Sequence, residues 1–325
     1  MLLIITNSKD ETADFLQAKL DARRLPLLRL DTDTFPLRPS LTIRSHREEQ
    51  SAFLVDGEKA IDLRDIRAVW WRRPQDYGAR ACDRIVSADA KDFAAKQIKD
   101  SLDNLVSMLS SSIDVLWVNH PEKNMRANAK LAQLRAAAEL GLDVPDTILS
   151  NDPERLREFF ERHKGKVVFK ANRRPAFYDG EDMIGFFTRR IERDHLKDDP
   201  SLQIAPVYLQ EELPKHYELR VTIIGNRVFS ARIDSQRYPE GVVDWRLIPI
   251  RLGLWTPYYL PVWLEERLKK LIHRFELNFA AIDLAVTADE QVVFFEINAN
   301  GQWAWLEVDA NLPLSDAFID LFYDH

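Results

Sequence analysis

Two strongly apolar runs near the C-terminus, Ala280-Ala-Ile-Asp283-Leu-Ala-Val and Val292-Val-Phe-Phe-Glu296-Ile-Asn298, flank the turn Ala288-Asp-Glu-Gln291. They constrain this chain more than any other feature. They read as two strands, and on a strand Glu296 and Asn298, two apart, face the same way. A two- or four-residue turn centred between Asp289 and Glu290 sets Asp283 opposite Glu296, so three oxygen-bearing groups converge on one face. Two carboxylates held close among Ile, Leu, Val and Phe are costly without a cation. So few carboxylates suit Mg²⁺ that is also bound by phosphate oxygens. A solvent-facing polar face of an antiparallel sheet would show the same alternation, so the pattern alone leaves both readings open.

If phosphate is bound here, it is not bound by the usual glycine clusters. The chain has 10 glycines in 325 residues, where an average composition would give about 23. It contains neither G-x-x-x-x-G-K-[ST] nor G-x-G-x-x-G, which argues against Walker-type NTPases and the usual dinucleotide fingerprint. The net charge of −7 argues against a general nucleic-acid partner. The single cysteine, Cys82, excludes an internal disulfide and any multi-thiolate zinc site. MLLIIT turns polar too soon for a signal peptide. No apolar run reaches about 18 residues, so no membrane span is expected. A reducing cytoplasm is the expected location.

The chain reads as α/β, with two or three structural units. Residues 1–118 alternate strands (2–6, 27–30, 68–71, 115–118) with helices, and a hairpin is expected near 41–44 and 52–55. One helix covers 89–110, with Phe93, Ile98, Leu102, Val106 and Leu109 near helical spacing. Asp31, Asp33, Arg72 and Arg73 close strands, where functional groups of parallel sheets tend to sit; turn formers would occupy the same places. Residues 119–205 begin at the break Asn119-His-Pro121. A long helix is expected over 122–140 with Gly141 as its C-cap, and another opens at Asp152-Pro153. A polar loop spans 172–185. Residues 206–325 hold a strand at 207–210, a hairpin about Gly225-Asn226, and an aromatic excursion over 234–261. A helix over 262–277 follows, with Asn278 as a left-handed cap.

Lys170 ends the strand Val167-Val-Phe, and Lys130 lies on the helix after Asn119-His-Pro. Either could contact phosphate as a point charge, and either could equally be a snorkelling surface residue. Gln210-Glu-Glu-Leu-Pro214 follows a strand and resembles a hinge whose backbone could read an adenine edge.

In this order (Asn-His-Pro, helix Lys, strand Lys, Q-E-E-L hinge, E-x-R strand, Asp, E-x-N) the chain resembles the ATP-grasp superfamily over its whole length. The resemblance implies an ATP-grasp fold: a pre-ATP-grasp domain at 1–118, a lid-bearing central domain at 119–205 and a C-terminal grasp domain at 206–325. Four strings look more narrowly like the microviridin-type (graspetide) ligases, which crosslink ribosomal precursor peptides. They are Asp31-Thr-Asp-Thr-Phe-Pro36, Val69-Trp-Trp-Arg-Arg-Pro74, Tyr217-Glu-Leu-Arg-Val-Thr222 and Phe295-Glu-Ile-Asn-Ala-Asn-Gly-Gln-Trp303.

The resemblance implies roles. Lys130 and Lys170 hold ATP phosphates. Gln210, Glu211 and Leu213 contact adenine, Leu213 through its backbone, and Glu218 binds ribose or lies just behind it. Asp283, Glu296 and Asn298 hold Mg²⁺. Arg220 stabilises an acyl-phosphate or the substrate carboxylate, with Arg232, Arg173 and Arg174 as weaker candidates for gripping an acidic substrate. The implied reaction activates Glu or Asp side chains as acyl-phosphates for attack by Thr or Ser hydroxyls, giving ω-esters, or by Lys amines, giving ω-amides. The loop 172–185 is the expected lid. Residues 186–202 are the expected docking region for a leader peptide, with the 234–261 excursion as a second candidate. A homodimer is implied, and no catalytic base is assigned. The competing readings are a ligase adding a free amino acid to a carboxylate, as glutamate-adding enzymes do, and a non-catalytic peptide binder. The intact set Lys130, Lys170, Asp283, Glu296 and Asn298 argues against the second.

Overall fold

A computed structural model describes residues 1–47, 50–111, 114–171, 177–179, 182–184, 187–249 and 251–324. The first sheet is parallel, in the order Leu27–Asp31, Leu2–Thr6, Ala68–Trp71, Leu116–Val118. Leu2–Thr6 is buried along its whole length, as a central parallel strand covered on both faces should be. Helix Ala88–Ser110 covers one face through Leu102, Leu105 and Leu109. Phe93, expected on that stripe, is 65% exposed. The other face packs Leu2, Ile4 and Trp70 against Trp303, Phe318 and Phe322 from the C-terminal end of the chain. The expected hairpin is a three-stranded antiparallel sheet of Ser40–Ser45, Gln50–Asp56 and Lys59–Asp62.

A small antiparallel sheet has the order Arg189–Arg190, Val167–Phe169, Val207–Glu211, Thr147–Ser150. Strand Val207–Glu211, expected to open the third unit, thus belongs to this sheet. Before it come the short strand Arg189–Arg190 and a 3₁₀ turn at Arg193–Leu196. Helix Pro153–Arg162 starts as expected, with Asp152 capping and Pro153 in the first turn.

The large antiparallel sheet carries the order Trp255–Pro257, Arg227–Ile233, Lys215–Ile224, Phe279–Thr287, Val292–Asn298. One face packs on helices Lys130–Glu139 and Val262–Arg274. The single helix expected over 122–140 is two, Pro121–Ala127 and Lys130–Glu139. The Gln133 amide donates to the Ala127 carbonyl, and Ala129 is extended at the break. Lys130 therefore opens a helix instead of lying inside one. Gly141 follows that helix at φ +77°, as expected of a left-handed cap. After Val262–Arg274 the left-handed residue is Glu276 at φ +55°, not Asn278. Asn278 is held instead by hydrogen bonds: its N–H donates to Asn119 Oδ1 and its carbonyl accepts from the Gly225 N–H.

Candidate active site

Strand parity builds the site. On Lys215–Ile224, Tyr217, Leu219, Val221 and Ile223 enter the helix-covered core. Glu218 and Arg220 must then face the other way, where the polar cleft lies. The neighbouring strands divide likewise: Ile282, Leu284, Phe294 and Ile297 go to the core, while Asp283, Glu296 and Asn298 line the cleft. Asp283 pairs with Glu296, as expected, but by another route. The pairs from Val286↔Val292 to Leu284↔Phe294 run in a register one residue off, and a bulge at Phe295 restores the pairing.

The charges there are matched. Arg220 Nη1 lies 2.7 Å from Asp283 Oδ1, and Lys130 Nζ lies 2.8 Å from Glu296 Oε2. Asn298 Nδ2 donates to Asp283 Oδ2 and to Glu296 Oε1, both at 3.1 Å. Lys170 Nζ sits 4.2 Å from the centre of the Phe295 ring. Burial, against the pull of Glu296, lowers the Lys170 pKa to about 8.

A narrow cavity of about 90 Å³ runs from these groups to the hinge, past Val168, Gln210 and Leu213. An open cleft of about 920 Å³ lies on the other side, walled by Trp71, Arg73, Asn128 and Trp305. The two meet at Lys130, Asp283 and Glu296, which line both. Gln210 is 1% exposed and donates to Thr147 Oγ1 at 3.0 Å. The Glu211 carboxylate accepts from the Asp146 N–H at 2.8 Å. Glu218 accepts from Lys215 Nζ and Ser235 Oγ, each at 2.8 Å, and burial holds its pKa above the ordinary carboxylate value.

Lys215 escaped the sequence reading. Three residues before Glu218, it belongs on the opposite face of a regular strand. A bulge between Lys215 and Tyr217 shifts the register, so its ammonium reaches Glu218 and the Val243 carbonyl. Asp244 and Arg246, from the excursion, also line the cavity, and only tertiary folding brings them there.

Other expectations need correction. Arg232 pairs with Leu219 and therefore shares the face that Glu218 and Arg220 avoid. Its guanidinium lies 3.8 Å from the Tyr217 ring centre and bonds Asp234, and it lines neither space. Arg173, Arg174 and most of the 172–185 loop lie outside the described residues; within that loop a two-stranded hairpin pairs 177–179 with 182–184. The excursion aromatics also pack on neighbours: Trp245 and Trp255 cluster with Trp305 at 5.0–5.5 Å, and Tyr258 meets Tyr217, while Trp245 still lines both the cavity and the cleft. Asp33 accepts from the Ser8 N–H and hydroxyl at 2.8 and 2.6 Å, so it serves the turn. Arg73 lines the cleft.

The Asp283, Glu296 and Asn298 donor set suits a hard divalent cation that completes its shell with phosphate or water. Among the described residues no cluster of three or more His, Cys, Asp or Glu side chains could hold a metal. Two carboxylates and an amide would need the phosphate oxygens too.

Residues 1–125 match the family model of the MvdD pre-ATP-grasp domain. The whole chain is similar to the macrocyclase MdnC from Microcystis aeruginosa MRC, solved with the precursor peptide MdnA. Identity is 30%, coverage is 100% of this chain and 99% of that one, and the TM-score is 0.86. It is also similar to a RiPP-associated ATP-grasp ligase from Chryseobacterium gregarium, solved with ADP and a leader and core peptide. There identity is 29%, coverage 99% and 96%, and the TM-score 0.90. The macrocyclase MdnB from Microcystis aeruginosa MRC matches at 28% identity over 100% and 99% of the chains, with a TM-score of 0.79. No curated protein matches the chain.

Proposed function

The chain belongs to the graspetide-type ATP-grasp ligases, and on that premise we propose that it closes rings in a ribosomally made precursor peptide where its cavity and cleft meet. It is an ATP-dependent carboxylate ligase. The observation that carries the reading is this junction: Lys130, Asp283 and Glu296 line both spaces, with Arg220 2.7 Å from Asp283. A nucleotide in the cavity would point its phosphates at the cleft, where a peptide carboxylate can lie.

Magnesium-bound ATP supplies the phosphoryl group that gives a carboxylate a good leaving group, as an acyl-phosphate. Asp283, Glu296 and Asn298 would hold the metal. Lys130 and Lys170 would bind phosphate oxygens in place of the carboxylate and ring they touch now. Gln210, Glu211 and Leu213 present the adenine edge, Glu211 through its backbone because its carboxylate is committed to Asp146. Glu218 would sit at the ribose. The cavity is smaller than ligand sites usually are, so nucleotide entry must part its walls. Arg220 offers the carboxylate being activated the donor it now places on Asp283, while its other terminal nitrogen stays on the Gln302 carbonyl. Holding both ends of one peptide makes ring closure a proximity problem.

The same reading assigns a core rich in Glu or Asp together with Thr, Ser or Lys, closing ω-esters or ω-amides. It assigns a leader peptide to the region of 186–202, a lid to 172–185, and substrate-gripping roles to Arg173 and Arg174. It also assigns a homodimer, a cytoplasmic location, and units dividing near 118 and 205. Among the described residues no helix is long and apolar enough to cross a membrane.

A matched precursor incubated with the protein, ATP and Mg²⁺ should lose the mass of one water per bond formed. Glu296→Gln should abolish that loss while precursor binding persists. An unchanged precursor mass with the parental protein overturns the ring-closing reading. Full turnover in Glu296→Gln overturns the metal assignment.

A further inference from the structure

Arg72 directly follows the strand Ala68–Trp71 of the N-terminal sheet, and its side chain is completely buried. Burying a guanidinium is costly unless its donors are used, and the partners of this one lie on two sides. Its Nε is 3.4 Å from Asp10 Oδ2, itself buried and held by Thr6 Oγ1 at 2.7 Å. Its other nitrogens cross to the far end of the chain: Nη1 donates to the Asn300 carbonyl, and Nη2 donates to Gln302 Oε1 at 2.6 Å. Thr12, in the first turn of helix Glu11–Ala22, donates to the same Gln302 oxygen. Burial pulls the Arg72 pKa to about 9, so the group keeps its charge at neutral pH.

Gln302 is linked to the acidic pair through Arg220. Its backbone carbonyl accepts from Arg220 Nη2 at 3.1 Å, and Arg220 Nη1 holds Asp283. The fork of Arg220 therefore has one tine on the cleft and one on the 300–302 loop. That loop is fastened from outside the large sheet by Arg72, Thr12 and Asn124, whose amide donates to Asn300 Oδ1 at 3.3 Å.

We infer that Arg72 is a positioning residue: it orients Arg220 toward the reacting carboxylate by fixing Gln302, and so couples the N-terminal sheet to the chemistry. The inference rests on the role given above to Arg220. With the loop loosened, the nucleotide pocket stays intact but Arg220 no longer holds the activated carboxylate steadily. The acyl-phosphate is then lost to water more often, and ATP is spent without ring closure.

Arg72→Lys keeps a charge beside Asp10 but cannot reach both loop acceptors. Gln302→Met keeps the length and removes the acceptor. Each should slow ring closure about 10- to 100-fold and raise the ADP released per ring several-fold. Affinity for ADP with Mg²⁺, measured without turnover, should stay within about twofold. The double variant should be no worse than the poorer single one, since both break one linkage. Parental rates and ADP-to-ring ratios in Gln302→Met overturn the inference. So does a loss of ADP affinity that parallels the loss of rate, because that marks general damage. Should Arg72→Lys fail to fold, Gln302→Met carries the test alone. Arg220→Lys separates the two levels. If it is as active as the parent, the role given to Arg220 fails; if it is impaired while Gln302→Met is not, only the coupling through Arg72 fails.

Discussion

Substituting Gly301 by alanine tests the packing around Arg220 with one methyl group. A Cβ there would lie 2.5 Å from Ala281 Cβ, 2.8 Å from Arg220 Nη2 and 3.2 Å from the Asn298 carbonyl oxygen. Carbon atoms in contact prefer about 3.5–4.0 Å, so the Ala281 contact is short by at least about 1 Å. Ala281 lies in the middle of a buried strand and cannot yield. Arg220 can yield only by giving up Gln302 or Asp283. Overpacking of this kind costs about 1–3 kcal/mol, read as a lower unfolding temperature. Displacing a positioned charged donor costs about 10²–10³ in turnover, read by mass spectrometry of the precursor. The double variant Gly301→Ala, Ala281→Gly separates the effects. It removes the carbon clash and should recover part of the stability, less about 1 kcal/mol for a strand glycine, while turnover stays low because the Arg220 contact persists. Parental turnover in Gly301→Ala would refute the view that Arg220 is held in place by this close fit. Recovery of turnover in the double variant would show that backbone strain, not Arg220, caused the loss.

Three further outcomes are expected. Lys170 titrates at about 8 in the folded chain, below its ordinary 10.5, with Glu296, Lys130, Lys215 and Glu218 around it. The folded chain thus binds fewer protons than the unfolded one between those values, and this group makes the empty protein more stable as pH rises through that window. Phosphate favours the charged form, so ADP affinity should fall above about pH 8, by up to tenfold per pH unit; the same slope in Lys170→Arg would exclude Lys170 as its source. Asn119→Ala should cost about 3 kcal/mol or more, measured by denaturant unfolding. Its amide donates to the Phe279 and Ala299 carbonyls and accepts from the Asn278 and Phe279 N–H groups, so a loss below about 1 kcal/mol would mean that water replaces it. Arg232→Ala should leave ring closure at the parental rate and cost about 0.5–1 kcal/mol through the Tyr217 ring; a rate loss of tenfold or more would return Arg232 to the site.

The residues of the acidic face were legible because strand alternation has a period of two and acts locally. Glu296 and Asn298 share a face whatever the rest of the chain does, and Arg220 shares one with Glu218. Local rules fail where a strand is irregular. Lys215 reaches Glu218 only through a bulge, and Asp283 meets Glu296 only because a second bulge at Phe295 offsets a turn other than the one expected. Arg232, a candidate by resemblance alone, lies off the site because its face depends on which residue of the neighbouring strand it pairs with. That pairing, with Leu219, could have been worked out from the two-residue turn at Gly225-Asn226.

What the sequence determined by itself is the chemistry available: an α/β chain, poor in glycine, with lysines, one E-x-R strand and one E-x-N strand in a fixed order. What only the tertiary structure decided is how that chemistry is held. Arg72 and Gln302 are 230 residues apart, and no local periodicity relates them. They meet because the apolar faces of the N-terminal sheet and the C-terminal helices exclude water only by packing on each other through Trp70, Trp303 and Phe318. That packing buries a guanidinium whose two terminal nitrogens then donate to the loop that carries the site.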